Sequence, residues 1–245
     1  MIAELDPWQN TSVAILAGGL GTRLRSIVAD RPKVMAEVNG RPFFAFLLDH
    51  LLRHGLRQVV LCVGYQAHLV SDHFACSYND LRLTYSVESQ PLGTGGALRH
   101  ALPYLSGAQV LVMNGDSYLD ADLRIFLRCH EEKKADLSLL LAHVPDVQRY
   151  GSVQTDAAGL VTAFVEKGIS TGPGMINGGI YLFSRELIAA IPTGRAVSLE
   201  NEVFPDSLER KFYGFQLGGR FIDIGTPESF LEASRFFQKW RRYDH

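Results

Sequence analysis

Residues 12–33, SVAILAGGLGTRLRSIVADRPK, constrain this chain more than any other stretch. They open as an apolar, β-branched run of the kind that fills a fully buried strand. At Ala17 the composition changes to Gly18, Gly19, Leu20, Gly21 and Thr22. Closely spaced glycines let successive backbone N–H groups turn inward and face an anion. Arg23 follows at once, and Lys33 lies further along. A strand, a glycine cradle and two cations describe a grip for a triphosphate. The glycines alone would also serve a tight strand-to-helix turn that holds no ligand. Two cations beside exposed amides argue against that reading, because they repel unless an anion lies between them. Two better-known glycine loops fail on order. No Gly-x-x-x-x-Gly-Lys-Ser/Thr run occurs, and Gly19-Leu20-Gly21 meets Leu24 where a dinucleotide fingerprint needs its third glycine.

A chain of 245 residues can bury one large core, so residues 1–245 are expected to form a single catalytic domain. With 47% hydrophobic and 20% charged residues, the composition is that of a globular protein. A formal net charge of -2 gives no global field for nucleic acid or an acidic membrane, so a polyanion must be held locally. Cys62, Cys76 and Cys129 form no CxxC pair, which suits a reducing compartment. Glu4 and Asp6 interrupt the N-terminus, and no apolar run approaches a membrane span. The expected location is the cytoplasm.

Along the chain, residues 41–55 read as a helix with Phe43, Phe46, Leu47, Leu51 and Leu52 on one side and Gly55 as its stop. Strands at 57–63 and 82–87 flank a short helix at 66–74. Alternation of strand and helix favours a parallel sheet covered on both faces. A second glycine cluster, ESQPLGTGGA, then leads to a helix at 98–105. Its Gln90 amide beside a proline and close-approach glycines could read a nucleobase edge, or the cluster is simply a loop. The apolar run 109–113 ends in Asn114-Gly115-Asp116. An acid at that place either holds Mg²⁺ beside a triphosphate or caps the helix that starts near Asp122. Asp120 and Asp122 are read as capping residues.

The second half reads as strands at 137–143, 151–154, 160–166 and 175–183, which suggests a mixed extension of the sheet. Glu166-Lys167 and Asn177-Gly178 stand at strand ends, where they could bind sugar hydroxyls and a phosphate or simply face solvent. Residues 199–210 read as a helix with Glu200, Glu202 and Glu209 on its wet face. Asp223, between Ile222 and Ile224, needs a partner or a metal. Thr226 and Pro227 open a final helix toward residue 240.

The ordered set AGGLGTRL, RPK, EXXPLGTGGAL, NGD, EK, NGGIY and FIDIGTPE resembles the sugar-1-phosphate nucleotidyltransferases over about residues 13–236. Within them it is most similar to enzymes acting on D-glycero-D-manno-heptose 1-phosphate with GTP. The resemblance implies an α/β, Rossmann-like (GT-A-like) three-layer sandwich around a mixed, mainly parallel sheet. It implies transfer of GMP from GTP to the sugar 1-phosphate, giving GDP-heptose and pyrophosphate for bacterial surface polysaccharide. Leu16, Ala17, Gly18, Gly19, Gly21, Thr22 and Arg23 would cradle the nucleotide, with Gln90 and Gly95 at the base. Arg23, Lys33 and Asp116 would be catalytic, and Asp116 with Asp223 would hold Mg²⁺. Glu166, Asn177 and Gly178 would take the sugar and Lys167 its phosphate. Where many relatives have PKPM this chain has PKVM, which leaves Lys33 unaffected. No hexapeptide-repeat region follows, so a homodimer would form through the catalytic domain itself. Alternatives are the same reaction with UTP, CTP or dTTP, or with mannose or glucose 1-phosphate. Different classes are a silent regulatory subunit, an NAD oxidoreductase disfavoured by Leu24, and a GT-A glycosyltransferase, which would present DxD where Asn114-Gly115-Asp116 stands.

Overall fold

The structure is a computed structural model that describes residues 6–19, 21–24, 27–28 and 30–238; the side chain of Thr22 and the expected helix end at Trp240 lie outside the described residues. Its first half alternates β1 (Thr11–Leu16), α1 (Phe43–Arg53), β2 (Gln58–Val63), α2 (Ala67–Phe74), β3 (Leu81–Val87), α3 (Gly93–Ala101) and β4 (Gln109–Asn114). Period-2 alternation sorts the central strands between two cores. Val13, Ile15, Leu111 and Met113 face one, while Ala14, Val110 and Val112 face the other. Both faces are covered by helices, which is why these strands are apolar at nearly every position.

The second half supplies β5 (Ser117–Leu119), α4 (Leu123–Lys133), β6 (Leu137–Val144), β7 (Ser152–Thr155), β8 (Val161–Val165), β9 (Gly174–Ser184), α5 (Arg185–Ala189), β10 (Phe212–Phe215), β11 (Phe221–Asp223) and α6 (Pro227–Gln238). The main sheet runs β10-β6-β9-β4-β1-β2-β3, with Ser77–Tyr78 as an eighth strand at the edge. Only β9 and that edge strand run against their neighbours, so the sheet is mixed and mainly parallel. Helices α1, α4 and α6 pack on one face and α3 and α5 on the other, giving the expected three layers. No helix among the described residues is long and apolar enough to cross a membrane.

Chain order creates the crevice. From β1 the chain moves outward through β2 and β3, then returns past β1 to lay β4 on its other side, with Leu16 opposite Asn114. Such a reversal opens a gap at the carboxyl ends of the two strands, where open α/β sheets bind ligands. The Gly115 amide donates to the Leu16 carbonyl at 2.8 Å, and a side chain at Gly115 would meet that carbonyl.

Two local expectations change. The second glycine cluster is not a loop leading to a helix at 98; helix α3 already begins at Gly93. A Cβ at Gly93 would stand 2.5 Å from the Val197 carbonyl and one at Gly95 3.2 Å from it, while the Gly95 and Gly96 amides donate to that same oxygen. The glycines permit this close approach. The helix expected at 199–210 is instead a wide turn, Leu199–Val203, and one short turn, Phe204–Asp206. Pro205 cannot donate to the helix ladder there. The helix cap is settled as well: the Asp122 carboxylate accepts from the Arg124 and Ile125 amides at 2.8 and 3.1 Å, so Asp116 is not needed for that role.

Candidate active site

The carboxyl edge of the sheet carries two adjoining clefts, one of about 370 Å³ over the glycine cradle and one of about 660 Å³ beyond it. The smaller is floored by Leu16, Ala17, Gly18, Gly19 and Gly21, the segment that leaves β1. Gly21 has φ +58°, and a Cβ there would press on the Lys33 Cβ at 2.9 Å. The cradle therefore rests on the lysine stem. Arg23 stands exposed in the short turn Thr22–Leu24 and borders both clefts.

Glu88 closes the far wall of the smaller cleft. Its side chain lies between two glycines, since a Cβ at Gly18 or Gly64 would meet Glu88 Oε1 at 2.5 or 2.6 Å. Oε2 accepts the Leu92 amide at 3.1 Å. Burial raises the pKa of this carboxyl above the ordinary range, with the Leu92 amide pulling the other way.

The larger cleft gathers Arg149, Tyr150, Glu166, Lys167, Asn177 and Asp223 from four separate segments. Asn177 lies where β9 bulges between Asn177 and Tyr181, a break that Gly179 allows at φ +76°. The Asn177 side-chain oxygen accepts the Gly179 amide at 2.8 Å. Beneath it the wholly buried Tyr181 hydroxyl accepts from Asn114 Nδ2 at 3.1 Å and also bonds Asn177. Asn114 Oδ1 is buried without a partner among the described residues, on a wall shared by both clefts.

Where the clefts meet, Lys33 Nζ donates to Asp116 Oδ2 at 2.7 Å. The lysine side chain is 12% exposed and the aspartate 46%. Asp223 reaches the same place through the ladder β5·β11, in which it stands opposite Ser117 and the Ile224 amide donates to the Asp116 carbonyl at 2.9 Å. Its carboxylate bonds Arg149, the Tyr150 hydroxyl at 2.9 Å and the Gly225 amide at 2.7 Å. Glu200 also borders both clefts, with Oε2 accepting from Thr94 and Ser198 hydroxyls at 2.9 and 3.1 Å.

A family model described as nucleotidyl transferase matches residues 12–239. The chain belongs to the nucleotidyl transferase family. This transferase is 37% identical over 227 residues to a D-glycero-α-D-manno-heptose 1-phosphate guanylyltransferase from Aneurinibacillus thermoaerophilus, covering 92% of this chain and 98% of that protein. It is 38% identical over 224 residues to a mannose-1-phosphate guanylyltransferase from Mycobacterium tuberculosis, covering 90% of this chain but 62% of that longer protein. Among solved structures, HddC from Yersinia pseudotuberculosis complexed with GMP-PN superposes with a TM-score of 0.83 at 36% identity, covering 92% of this chain and 99% of the other.

Most of the residues singled out from the sequence of this transferase come together at the clefts. Two stand apart. Gln90 is exposed and does not line the smaller cleft, whose wall at that point is Glu88. Gly178 is buried under the bulge, where a Cβ would meet Leu119 and the Leu140 carbonyl, each at 2.8 Å. Gly95 is likewise buried, against Val197 rather than facing the smaller cleft. Sequence reasoning passed over Glu88, Arg149, Tyr150 and Glu200. An acid at the carboxyl end of β3, directly before the glycine cluster, was the available signal for Glu88.

The donor set suits Mg²⁺. Asp116 and Asp223 offer hard oxygen ligands on one wall of the larger cleft, and no group of three or more His, Cys, Asp or Glu among the described residues forms a fuller cage. Mg²⁺ is commonly held this way, by one or two carboxylates with waters and substrate phosphates completing the shell.

Proposed function

We propose that the protein transfers GMP from GTP to D-glycero-α-D-manno-heptose 1-phosphate, releasing pyrophosphate and GDP-heptose. The observation that carries this reading is the pair of clefts meeting at Lys33 and Asp116: one side has a nucleotide cradle, the other a polar wall suited to a sugar phosphate. The base assignment rests on Glu88. Guanine presents two neighbouring N–H donors on one edge, N1–H and the 2-amino group, and a carboxylate is an acceptor for both. Adenine, with an unprotonated N1, offers no such pair. The heptose and the GTP draw support from the 37% identical heptose 1-phosphate guanylyltransferase and from the likeness to HddC complexed with GMP-PN. A second reading, the same transfer to mannose 1-phosphate, draws on the 38% identical mannose-1-phosphate guanylyltransferase.

In this reaction a phosphate oxygen of the sugar 1-phosphate attacks the α-phosphorus of GTP. The new P–O bond forms as the bond to the β-phosphate bridge breaks, and the electron pair leaves with pyrophosphate. The nucleophile is already an anion at neutral pH, so no side chain has to remove a proton. The barrier is the approach of two polyanions, and positioned positive charge lowers it. Arg23 and the cradle amides hold the triphosphate, Lys33 sits at the crossing point, and Lys167 serves the sugar phosphate. Mg²⁺ held by Asp116 and Asp223 would supply further neutralisation of the phosphate charge. Glu166 and Asn177 accept sugar hydroxyls. The proposed setting is the cytoplasm, and the product serves surface polysaccharide assembly.

The test is a pyrophosphate-release screen of GTP, ATP, UTP, CTP and dTTP against heptose, mannose and glucose 1-phosphates. GTP with the heptose phosphate is expected to give the highest kcat/KM. Equal release with every sugar would defeat the heptose reading, and no release with any pair would defeat nucleotidyl transfer.

A further inference from the structure

Arg149 makes contacts that the transfer reaction as outlined does not use. Its guanidinium reaches both oxygens of Asp223, donates to Ser229 Oγ at 3.0 Å, and lies 4.8 Å from the Tyr150 ring centroid. Asp223 Oδ1 also accepts the Tyr150 hydroxyl at 2.9 Å, and Oδ2 the Gly225 amide at 2.7 Å. A carboxylate has about four lone-pair sites. Arg149 Nη2, which also faces Ser229 Oγ, bridges both oxygens, and the hydroxyl and the amide each take a further site, one on each oxygen. In this arrangement the guanidinium lies across the edge of Asp223 that a metal ion would use.

The site is also balanced in charge, since Lys33 pairs with Asp116 and Arg149 with Asp223. A divalent cation entering between the two acids balances both carboxylates and leaves the two side-chain cations surplus. Arg149 is the freer of the two: its side chain is 36% exposed, against 12% for Lys33. It lies in the segment joining β6 to β7, beside Gly151 at φ +76°, and already lines the larger cleft with Lys167. With Arg149 gone, the Tyr150 hydroxyl and Gly225 amide would still orient Asp223.

We infer that Arg149 is an exchangeable counter-ion that holds Asp223 in the free protein, yields it to the divalent cation, and passes to the phosphate of the incoming sugar 1-phosphate. Metal loading and sugar-phosphate binding are then linked through one guanidinium. Each tightens the other, because the metal takes Asp223 from Arg149 and so frees the guanidinium, while the phosphate takes Arg149 from Asp223 and so frees the carboxylate. The identity of that phosphate rests on the proposed transfer reaction; the competition between Arg149 and the metal does not.

The experiment titrates Mn²⁺ into the full chain without nucleotide or sugar and follows free Mn²⁺ by electron paramagnetic resonance. Arg149→Met is expected to bind Mn²⁺ at least ~10-fold more tightly than the unaltered protein, a change of about 1.4 kcal/mol. Arg149→Lys falls between, and adding Asp223→Asn to Arg149→Met removes the gain. Inorganic phosphate, corrected for its own pairing with Mn²⁺, tightens Mn²⁺ binding to the unaltered protein and has no effect on Arg149→Met. Equal affinity in the unaltered protein and a folded Arg149→Met overturns the inference, as does a gain that survives Asp223→Asn. Should Arg149→Met fail to fold, the phosphate titration of the unaltered protein decides, and no tightening there overturns it. A protein that releases pyrophosphate yet fails these tests loses the exchange and keeps the transfer. One that passes them but releases none under any substrate pair loses the transfer reading instead.

Discussion

Substituting Glu88→Gln tests the base assignment with almost no change in volume. Glu88 is seated between Gly18 and Gly64 with Oε1 about 2.5 Å from where a Cβ of Gly18 would stand, so the replacement side chain has one slot to occupy. Oε2 already accepts the Leu92 amide, which orients the group and leaves Oε1 for a ligand. A glutamine keeps the Leu92 bond through its single oxygen and turns an NH₂ toward the base, donor against donor. The loss is one charge-assisted hydrogen bond, about 1.5–3 kcal/mol, or roughly 10- to 150-fold in kcat/KM for GTP. ITP, which lacks the 2-amino group, provides an internal control. The unaltered protein is expected to prefer GTP to ITP by about 10-fold, and the variant to show little preference. The assay is pyrophosphate release at subsaturating nucleotide, with thermal unfolding to establish that the variant is folded. A kcat/KM for GTP within twofold of the parent, or an undiminished GTP-over-ITP preference, would refute the reasoning.

Lys33→Ala and Asp116→Asn each remove one partner of the 2.7 Å pair at the junction; each is expected to remain folded and to lose about 100-fold in kcat, some 3 kcal/mol of positioned charge. Full activity in either, by single-turnover measurement, contradicts their placement. Gly93→Ala puts a Cβ 2.5 Å from the Val197 carbonyl at φ +71°, and chemical denaturation is expected to show a loss of about 2 kcal/mol. Burial pushes the His130 imidazole, bonded to Ser138 Oγ at 2.8 Å, down from 6.5 to about 4. Between those values the unfolded chain takes a proton that the folded one refuses, so stability is complete above about pH 6.5 and falls by roughly 3 kcal/mol as pH drops toward 4. His130→Gln is expected to flatten that part of the curve, and parallel unfolding profiles for parent and variant would contradict the assignment. The buried His50, also pushed well below its ordinary value, acts in the same direction.

Local chemistry made much of the fold readable from the chain. The apolar runs of β1 and β4, the stop at Gly55 and the cap at Asp122 depend on neighbours a few residues away. The buried face of α1 is wider than its sequence pattern implies: it takes in Phe44 and Leu48 beside Phe43, Leu47 and Leu51, while Phe46 and Leu52 pack partly buried at its edge. The segment 199–206 was misread because charged residues at helical spacing describe a wet face equally well when they line a cleft. Glu200 shows this, bordering both clefts while pinned by Thr94.

By itself, the sequence determined that a glycine cradle with two cations follows a buried strand, and that acids stand at later strand ends. These are properties of backbone conformation and hydrophobic period. Only the tertiary structure decided which groups meet. Lys33 finds Asp116 across 83 residues and Arg149 finds Asp223 across 74, in pairings set by sheet order and by the β5·β11 ladder. No local pattern encodes those distances, because a side chain's partner depends on how separate segments pack. The same packing puts Glu88, and not Gln90, into the smaller cleft: the carboxylate needs the space that glycine leaves at both Gly18 and Gly64, two positions on different strand ends.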